Sequence, residues 1–432
     1  MTLTFIGHGY VGLVTAAVFA DLGNKVWVIG HTPTKVEGLK KGEIPIYEPG
    51  LKELVKKNID SGLLHFTLDY TPSVSESDVV FIAVGTPTKE NGESDLSVVY
   101  DVAKKCGKHL DGYTVVITKS TVPVGTNKKV KEIVSKVKPA GVEFDVASVP
   151  EFLREGQAIS DTFHPDRVVI GTESKRAEDI LVELHKPMTQ NPVLTNIETA
   201  EMIKYASNAF LATKISFAHA IAHLSEEANA DGVKVLEAMG MDKRIGSAFL
   251  SAGAGYGGSC FPKDVKALIT IAKNFNYDFD LLKEVEKVNK FAKLQIAKKV
   301  QSFFPTGING KTVAILGLAF KPDTDDMRDA SSIVIINELL AKGAKIKAYD
   351  PIAQDNAIGI LRSSSVSFEK DAYGAVKGAD AVVVVTEWNE FKELDLGIMK
   401  SLMKSPNMVD GRNIYDPKKM RGLGFRYIGV GR

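Results

Sequence analysis

The run Leu3-Thr4-Phe5-Ile6-Gly7-His8-Gly9-Tyr10-Val11-Gly12 opens the chain and leads into the apolar stretch Leu13–Leu22. Leu3–Ile6 reads as a buried strand and Leu13–Leu22 as a helix, so the glycines occupy a strand-to-helix turn. Gly7 permits the tight turn, Gly9 lets a pyrophosphate approach the backbone, and Gly12 lets helix and strand pack closely. The phosphates would sit at the helix N-terminus, where free amides and the helix dipole favour anions. This context predicts a dinucleotide-binding domain at the start of the chain.

Further along, Val26–Ile29, Val79–Val84, Thr114–Ile117, Val146–Val149 and Val168–Ile170 read as strands between helical patterns. Continuous Val/Ile runs of this kind suit strands buried on both faces of a doubly wound parallel sheet. Thr199–Ala230 has no strand-like run and no proline, and its apolar residues recur at helical spacing, which predicts one long helix or two in line. Helical patterns also start near Val233 and cover Asp280–Phe303. Lys311–Leu316, Lys345–Tyr349, Ala379–Val385 and Met408–Val409 then return to the strand pattern, with a helix over Ser331–Leu340. The fold class is α/β: two Rossmann-like doubly wound parallel-sheet domains, residues 1–198 and 305–432, joined by a helical connector and dimerisation segment, 199–304.

Composition narrows the function classes. The 432 residues carry 54 basic and 53 acidic side chains, 44% hydrophobic residues and two cysteines. A net charge of +1 excludes a strong global attraction to nucleic acid or to anionic membrane. No apolar run approaches the ~20 residues a spanning helix needs. Two cysteines make no disulfide framework, which points to a reducing compartment and hence to the cytoplasm. The eight histidines show no metal-ligand spacing, so no metal is expected.

Several segments carry candidate chemistry. An acid normally ends the second strand of a dinucleotide fold and binds the adenosine ribose; here Gly30-His31-Thr32 follows Ile29. That leaves NADP use open beside NAD, with Lys35 close by, and an acid installed at Gly30 is expected to sharpen NAD preference. In Gly253-Ala254-Gly255-Tyr256-Gly257-Gly258-Ser259-Cys260-Phe261-Pro262-Lys263-Asp264, glycines allow close backbone approach to a ligand. The cation near Cys260 raises its thiolate fraction. Cys106, on a helix, reads instead as a small buried hydrophobe. Val149-Pro150-Glu151-Phe152-Leu153-Arg154-Glu155-Gly156 follows a strand end, where carboxylates face the ligand crevice. Lys204 and Asn208 share one helix face, either exposed or lining a site. Lys321, Asp325, Asp326 and Arg328 form a charged loop, either solvated or functional. Trp27 and Trp388 read as packing residues near strand ends.

Together with Gly85-Thr86-Pro87, Ser120-Thr121-Val122-Pro123-Val124-Gly125-Thr126 and Gly317-Leu318-Ala319-Phe320-Lys321, these motifs resemble the UDP-glucose/GDP-mannose dehydrogenase family nearly end to end. Asp161–Gly171, with His164-Pro165-Asp166-Arg167, looks like the UDP-glucose branch. The resemblance implies oxidation of UDP-glucose to UDP-glucuronate with two NAD⁺, through a Cys260 thiohemiacetal and thioester. GDP-mannose or a UDP-N-acetylhexosamine is the alternative substrate. It further implies Lys204 and Asn208 at the reacting oxygen, Asp264 with a water as proton acceptor, Thr121 as its positioner, and Glu151 in thioester hydrolysis. Cofactor contacts implied by motif and family are Gly7, Gly9, Tyr10, Val11, Gly12, Gly30, Lys35, Pro87, Thr121, Glu155, Lys263 and Arg328. Implied substrate contacts are Glu151, Phe152, Leu153, Arg154, Lys204, Asn208, Phe249, Leu250, Ser251, Gly253, Gly257 and Lys321. Arg244 resembles an arginine that reaches the sugar nucleotide from a second subunit, and residues 305–432 resemble the UDP-sugar domain. A homodimer or higher homo-oligomer is expected. A two-electron 3-hydroxyacid dehydrogenase would need neither the cysteine loop nor a second sheet domain. A silent nucleotide-binding module would not need Cys260, Lys263, Asp264, Lys204 and Glu151 together.

Overall fold

The computed structural model describes residues Met1–Arg432. They fall into two compact units, Met1–Ser207 with Lys266–Asn276, and Asn208–Val265 with Tyr277–Arg432.

The first unit is built on eight strands: β1 (Thr2–Ile6), β2 (Lys25–Ile29), β3 (Leu64–Thr67), β4 (Val79–Ile82), β5 (Thr114–Thr118), β6 (Phe144–Ser148), β7 (Val169–Thr172) and β8 (Val193–Thr195). Their order is β3-β2-β1-β4-β5-β6-β7-β8, so the connection reverses direction between β1 and β4. Ligand crevices of such sheets open at that point, beyond the carboxyl ends of the strands. Helices cover both faces, which is why Leu3, Phe5 and all of Val79–Ile82 are buried and why Phe5 stacks on Phe81 at 4.3 Å. The sheet is not wholly parallel: β7, expected as one more parallel strand, runs antiparallel to β6, with Ala147 opposite Thr172. β3 and β8 escape the sequence reading because they are short, and Val193 and Leu194 of β8 are exposed. Trp27 lies mid-strand in β2, not at its end, with its ring 4.6 Å from that of His65.

The second unit repeats the plan with β9 (Thr312–Leu316), β10 (Lys345–Tyr349), β11 (Val366–Phe368), β12 (Ala381–Val384), β13 (Asn407–Asp410) and β14 (Arg426–Ile428). The order β11-β10-β9-β12-β13-β14 is parallel throughout and reverses between β9 and β12. The strands β11 and β14, of three residues each, had no sequence signal strong enough to find. The middle of the chain resolves into one continuous helix, Ile197–Glu227, of 31 residues, followed by Gly232–Gly240 and Asp280–Gln301. Met1–Arg432 contains no helix long and apolar enough to cross a membrane.

The opening turn is fixed by contact. Gly7 has φ +120°, and a Cβ on it would lie 2.3 Å from the Ala83 carbonyl oxygen. A Cβ on Gly12 would lie 2.1 Å from the Gly7 carbonyl oxygen, whereas Gly9 faces open space. Gly12→Ala should therefore destabilise the protein by roughly 1–3 kcal/mol through overpacking. Gly359→Ala, in a helix with nothing within 4 Å of the added carbon, should be neutral or mildly stabilising. Urea denaturation of both variants checks this; equal midpoints would contradict the contact reading.

Candidate functional site

In the first unit the helix Tyr10–Asp21 starts directly after the glycine turn, with no acidic residue in its first turn. Its N-terminus and the open space at Gly9 leave a bare cradle that fits a dinucleotide pyrophosphate. Val11 is half-buried there, and Pro87 is exposed in the loop after β4. Gly30 follows β2, and Lys35 is exposed on the helix Pro33–Lys40. Tyr10 serves more than the turn. Its hydroxyl donates to Glu48, and both accept from the Gly156 N–H, at 2.9 and 2.6 Å. The other Glu48 oxygen accepts from Ala158 N–H at 2.7 Å. Glu48 thus ties the glycine turn to the Glu155-Gly156 end of the next motif.

At the other end of that motif Glu151 forms a buried ion pair with Lys204, Oε1 to Nζ 2.9 Å, with side-chain exposures of 7% and 4%. Its second oxygen accepts from Leu153 N–H at 2.6 Å. Burial alone would push the Glu151 carboxyl up; the Lys204 ammonium, these hydrogen bonds and Lys119 together hold it below the usual carboxylate range. Lys119 is buried as well, and desolvation takes it down to about 8 despite the attraction of Glu151. The Phe152 ring carries the Arg167 guanidinium at 3.8 Å and the Lys204 ammonium at 5.4 Å. Arg154 is exposed and paired with Asp161 at 2.5 Å, and the Thr121 carbonyl accepts from the Thr86 hydroxyl at 2.9 Å.

In the second unit Cys260 caps a helix: its carbonyl accepts from Asp264 N–H at 2.8 Å at the start of Phe261–Asn274. A helix N-terminus is a place that favours a thiolate. Asp264 is 1% exposed and accepts at each oxygen, from Nδ2 of Asn208 at 2.6 Å and from Nζ of Lys263 at 2.5 Å. Lys204 and Asn208, one turn apart on the long helix, are both buried, so their face is not a solvent face. Two glycines just before Cys260 have no room for a side chain: a Cβ on Gly257 would lie 2.4 Å from the Asp329 carbonyl oxygen and one on Gly258 2.8 Å from the Phe320 ring. Phe249 adopts φ +63°, Leu250 is buried and Ser251 is exposed. Gly253 lies against Arg412, whose guanidinium donates to the Val385 carbonyl at 2.7 Å. Lys321 sits over the Phe320 ring, Arg328 grips Asp326 with two nitrogens, and Arg244 is exposed and paired with Asp242.

The sequence reading missed Lys119, Glu48 and Arg412. Lys119 is the residue after β5, and Arg412 follows the end of β13, both at crevice positions; that placement was a usable signal. Glu48 had none, because its role depends on a partner 108 residues away.

The NAD binding domain of the UDP-glucose/GDP-mannose dehydrogenase family matches residues 1–189, its central domain 198–291, and its UDP binding domain 314–417. The UDP-glucose 6-dehydrogenase TuaD of Bacillus subtilis is 47% identical over 430 residues, 100% of this chain and 93% of that one. A UDP-glucose dehydrogenase from Pyrobaculum islandicum superposes with a TM-score of 0.92 at 38% identity, covering 99% of this chain and 97% of that one. The UDP-D-ManNAc dehydrogenase of Pyrococcus horikoshii gives 0.87 at 26% identity, covering 100% and 99%. With an NAD binding domain, a central domain and a UDP binding domain of that family matched in order along its length, and a relative 47% identical over the whole chain, the chain belongs to the UDP-glucose/GDP-mannose dehydrogenase family.

Proposed function

We propose that this dehydrogenase oxidises UDP-glucose to UDP-glucuronate in two successive two-electron steps, with Cys260 as nucleophile and NAD⁺ as working cofactor. The observation that carries the reading is Cys260 at a helix N-terminus, just after two glycines with no room for a side chain, with the buried Asp264 one turn on. The stronger likeness to UDP-glucose dehydrogenases supports UDP-glucose over GDP-mannose or a UDP-N-acetylhexosamine.

NAD⁺, when bound, accepts the hydride of each oxidation. The C6 hydroxyl gives its proton to a water held by Asp264, with Thr121 as positioner, and becomes an aldehyde as the first hydride leaves. The Cys260 thiolate adds to the aldehyde carbon, and Lys204 and Asn208 stabilise the resulting oxyanion. Loss of the second hydride leaves a thioester. A water held by Glu151 attacks it, the C–S bond breaks, and the thiolate returns. Each UDP-glucose thus delivers four electrons to two NAD⁺ and consumes one water; three protons are released with the product carboxylate ionised. Lys204 keeps Glu151 ionised, which suits that carboxylate to orient water without donating a proton. Gly7, Gly9 and Gly12 would hold the pyrophosphate, and Phe152, Leu153, Arg154, Gly257 and Lys321 the sugar nucleotide. We place the protein in the cytoplasm, where its two free cysteines stay reduced.

Assembly follows from the long helix. Phe210, Phe217 and Leu224 recur every seven residues and are 65%, 49% and 62% exposed. Such a stripe on a helix face is an interface in search of a partner, and we assign it to a second copy of the chain, with Arg244 directed to the partner's substrate.

Titration of UDP-glucose with excess NAD⁺ should yield two NADH per sugar nucleotide; one, or none, would contradict the four-electron reading. Cys260→Ser should stop turnover. Cys106→Ser should not, because Cys106 is fully buried and its thiol is pushed up to about 12. Sedimentation at micromolar concentration should show a species about twice the 46.8 kDa chain mass, and Phe217→Glu should shift it towards monomer. A fully active monomer would refute the interface.

A further inference from the structure

The two sheets provide an internal comparison at one position. In the second unit Gly317 ends β9, and its N–H donates to the Tyr349 carbonyl at 2.9 Å. Asp350 is the next residue after Tyr349. Its buried carboxylate accepts from Leu318 N–H at 2.7 Å, Ala319 N–H at 3.0 Å and the Trp388 indole at 3.1 Å. In the first unit Gly7 ends β1 and its N–H donates to the Ile29 carbonyl at 2.9 Å. The residue that matches Asp350 is Gly30.

Gly30 is more than a missing acid, because its surroundings exclude one. A Cβ there would lie 2.3 Å from Cγ2 of the buried Val36 and 3.2 Å from Nδ1 of His8. An acid installed at Gly30 would have to displace Val36 before it met any ribose. The space is filled by His8 instead. His8 is 6% exposed, and its Nδ1 points at Gly30 with no hydrogen-bond partner. The groups acting on its charge are His31, with ring centroids 4.9 Å apart, and Lys35 on the next helix; neither is a carboxylate.

Resting on the NAD⁺ reading above, we propose that His8, His31 and Lys35 form an acid-free adenosine-ribose subsite that accepts a 2′-phosphate, so that the chain binds NADP⁺ as well as NAD⁺. The ribose hydroxyls of NAD⁺ meet no carboxylate here, and a 2′-phosphate meets no repulsion. The subsite gains charge as pH falls. Burial first, then His31 and Lys35, lowers the pKa of His8, so its ring is neutral at pH 7 and above and charges only in more acidic solution. Preference should therefore move towards NADP⁺ as pH decreases.

Direct calorimetric titration with NAD⁺ and NADP⁺ at pH 8 and pH 6 tests this on the full chain, without reference to turnover. In wild type the ratio of NADP⁺ to NAD⁺ affinity should be higher at pH 6 than at pH 8, because His8 gains charge as pH falls. His8→Gln should flatten that rise. Lys35→Ala, an exposed change that leaves folding alone, should weaken NADP⁺ about tenfold and NAD⁺ far less. Binding of NAD⁺ with no measurable NADP⁺ at either pH overturns the inference and leaves the NAD⁺ reading standing. Binding of neither overturns both.

Discussion

A buried ion pair, Glu151 with Lys204, is the constraint on which the segment after β6 depends. Two charges with side-chain exposures of 7% and 4% are costly to take out of water, and their attraction at 2.9 Å offsets that cost. The pair locks the segment after β6 onto the long helix Ile197–Glu227. It fixes Phe152, whose ring also carries Arg167, and it keeps Glu151 ionised. Lys119 is a further buried amine acting on the same carboxylate, and its pKa is lowered first by its own burial and then by Lys204. At the far end of the segment Glu48 does the corresponding job with neutral donors, accepting from Gly156 and Ala158.

The two sheets show how one topology serves two uses. Both reverse direction beside their first strand, and both end that strand in a glycine with positive φ. In the second unit Asp350 consumes the N–H groups of Leu318 and Ala319, which stand where the first unit offers His8 and Gly9. Those amides are no longer available to a phosphate. In the first unit the open face of Gly9 remains available. A single side chain, present at 350 and excluded at 30, separates a turn closed on itself from one built for an anion.

Much of this was legible in the sequence, for physical reasons. Buried parallel strands are rich in Val and Ile, so β2, β4, β5, β9 and β12 announce themselves. The glycine turn and the cysteine loop are legible because Gly7 and Gly12 in the one, and Gly257 and Gly258 in the other, sit too close to neighbouring atoms for a side chain. What the sequence hid was pairing. The antiparallel β6–β7 contact, the short edges β3, β8, β11 and β14, and the partners of Glu48 and Lys119 arise from contacts between distant segments, which no local pattern encodes. Lys204 and Asn208 could not be placed by spacing alone, since a polar pair on a helix face fits solvent as well as a site; their burial excludes the solvent face. Gly30 was read as an absence, and only the positions of Val36 and His8 show that the absence is enforced.

The most direct test of the account is a double-mutant cycle on the buried pair, read in chemical denaturation. Glu151→Gln alone should cost about 3–5 kcal/mol, because it removes the carboxylate that pairs with the buried Lys204. Glu151→Gln combined with Lys204→Met should cost less than Glu151→Gln by itself, since the stranded charge next to the lost carboxylate is gone. If the two single changes instead add, the ion pair is not the constraint that holds this segment, and the account of Glu151 fails with it.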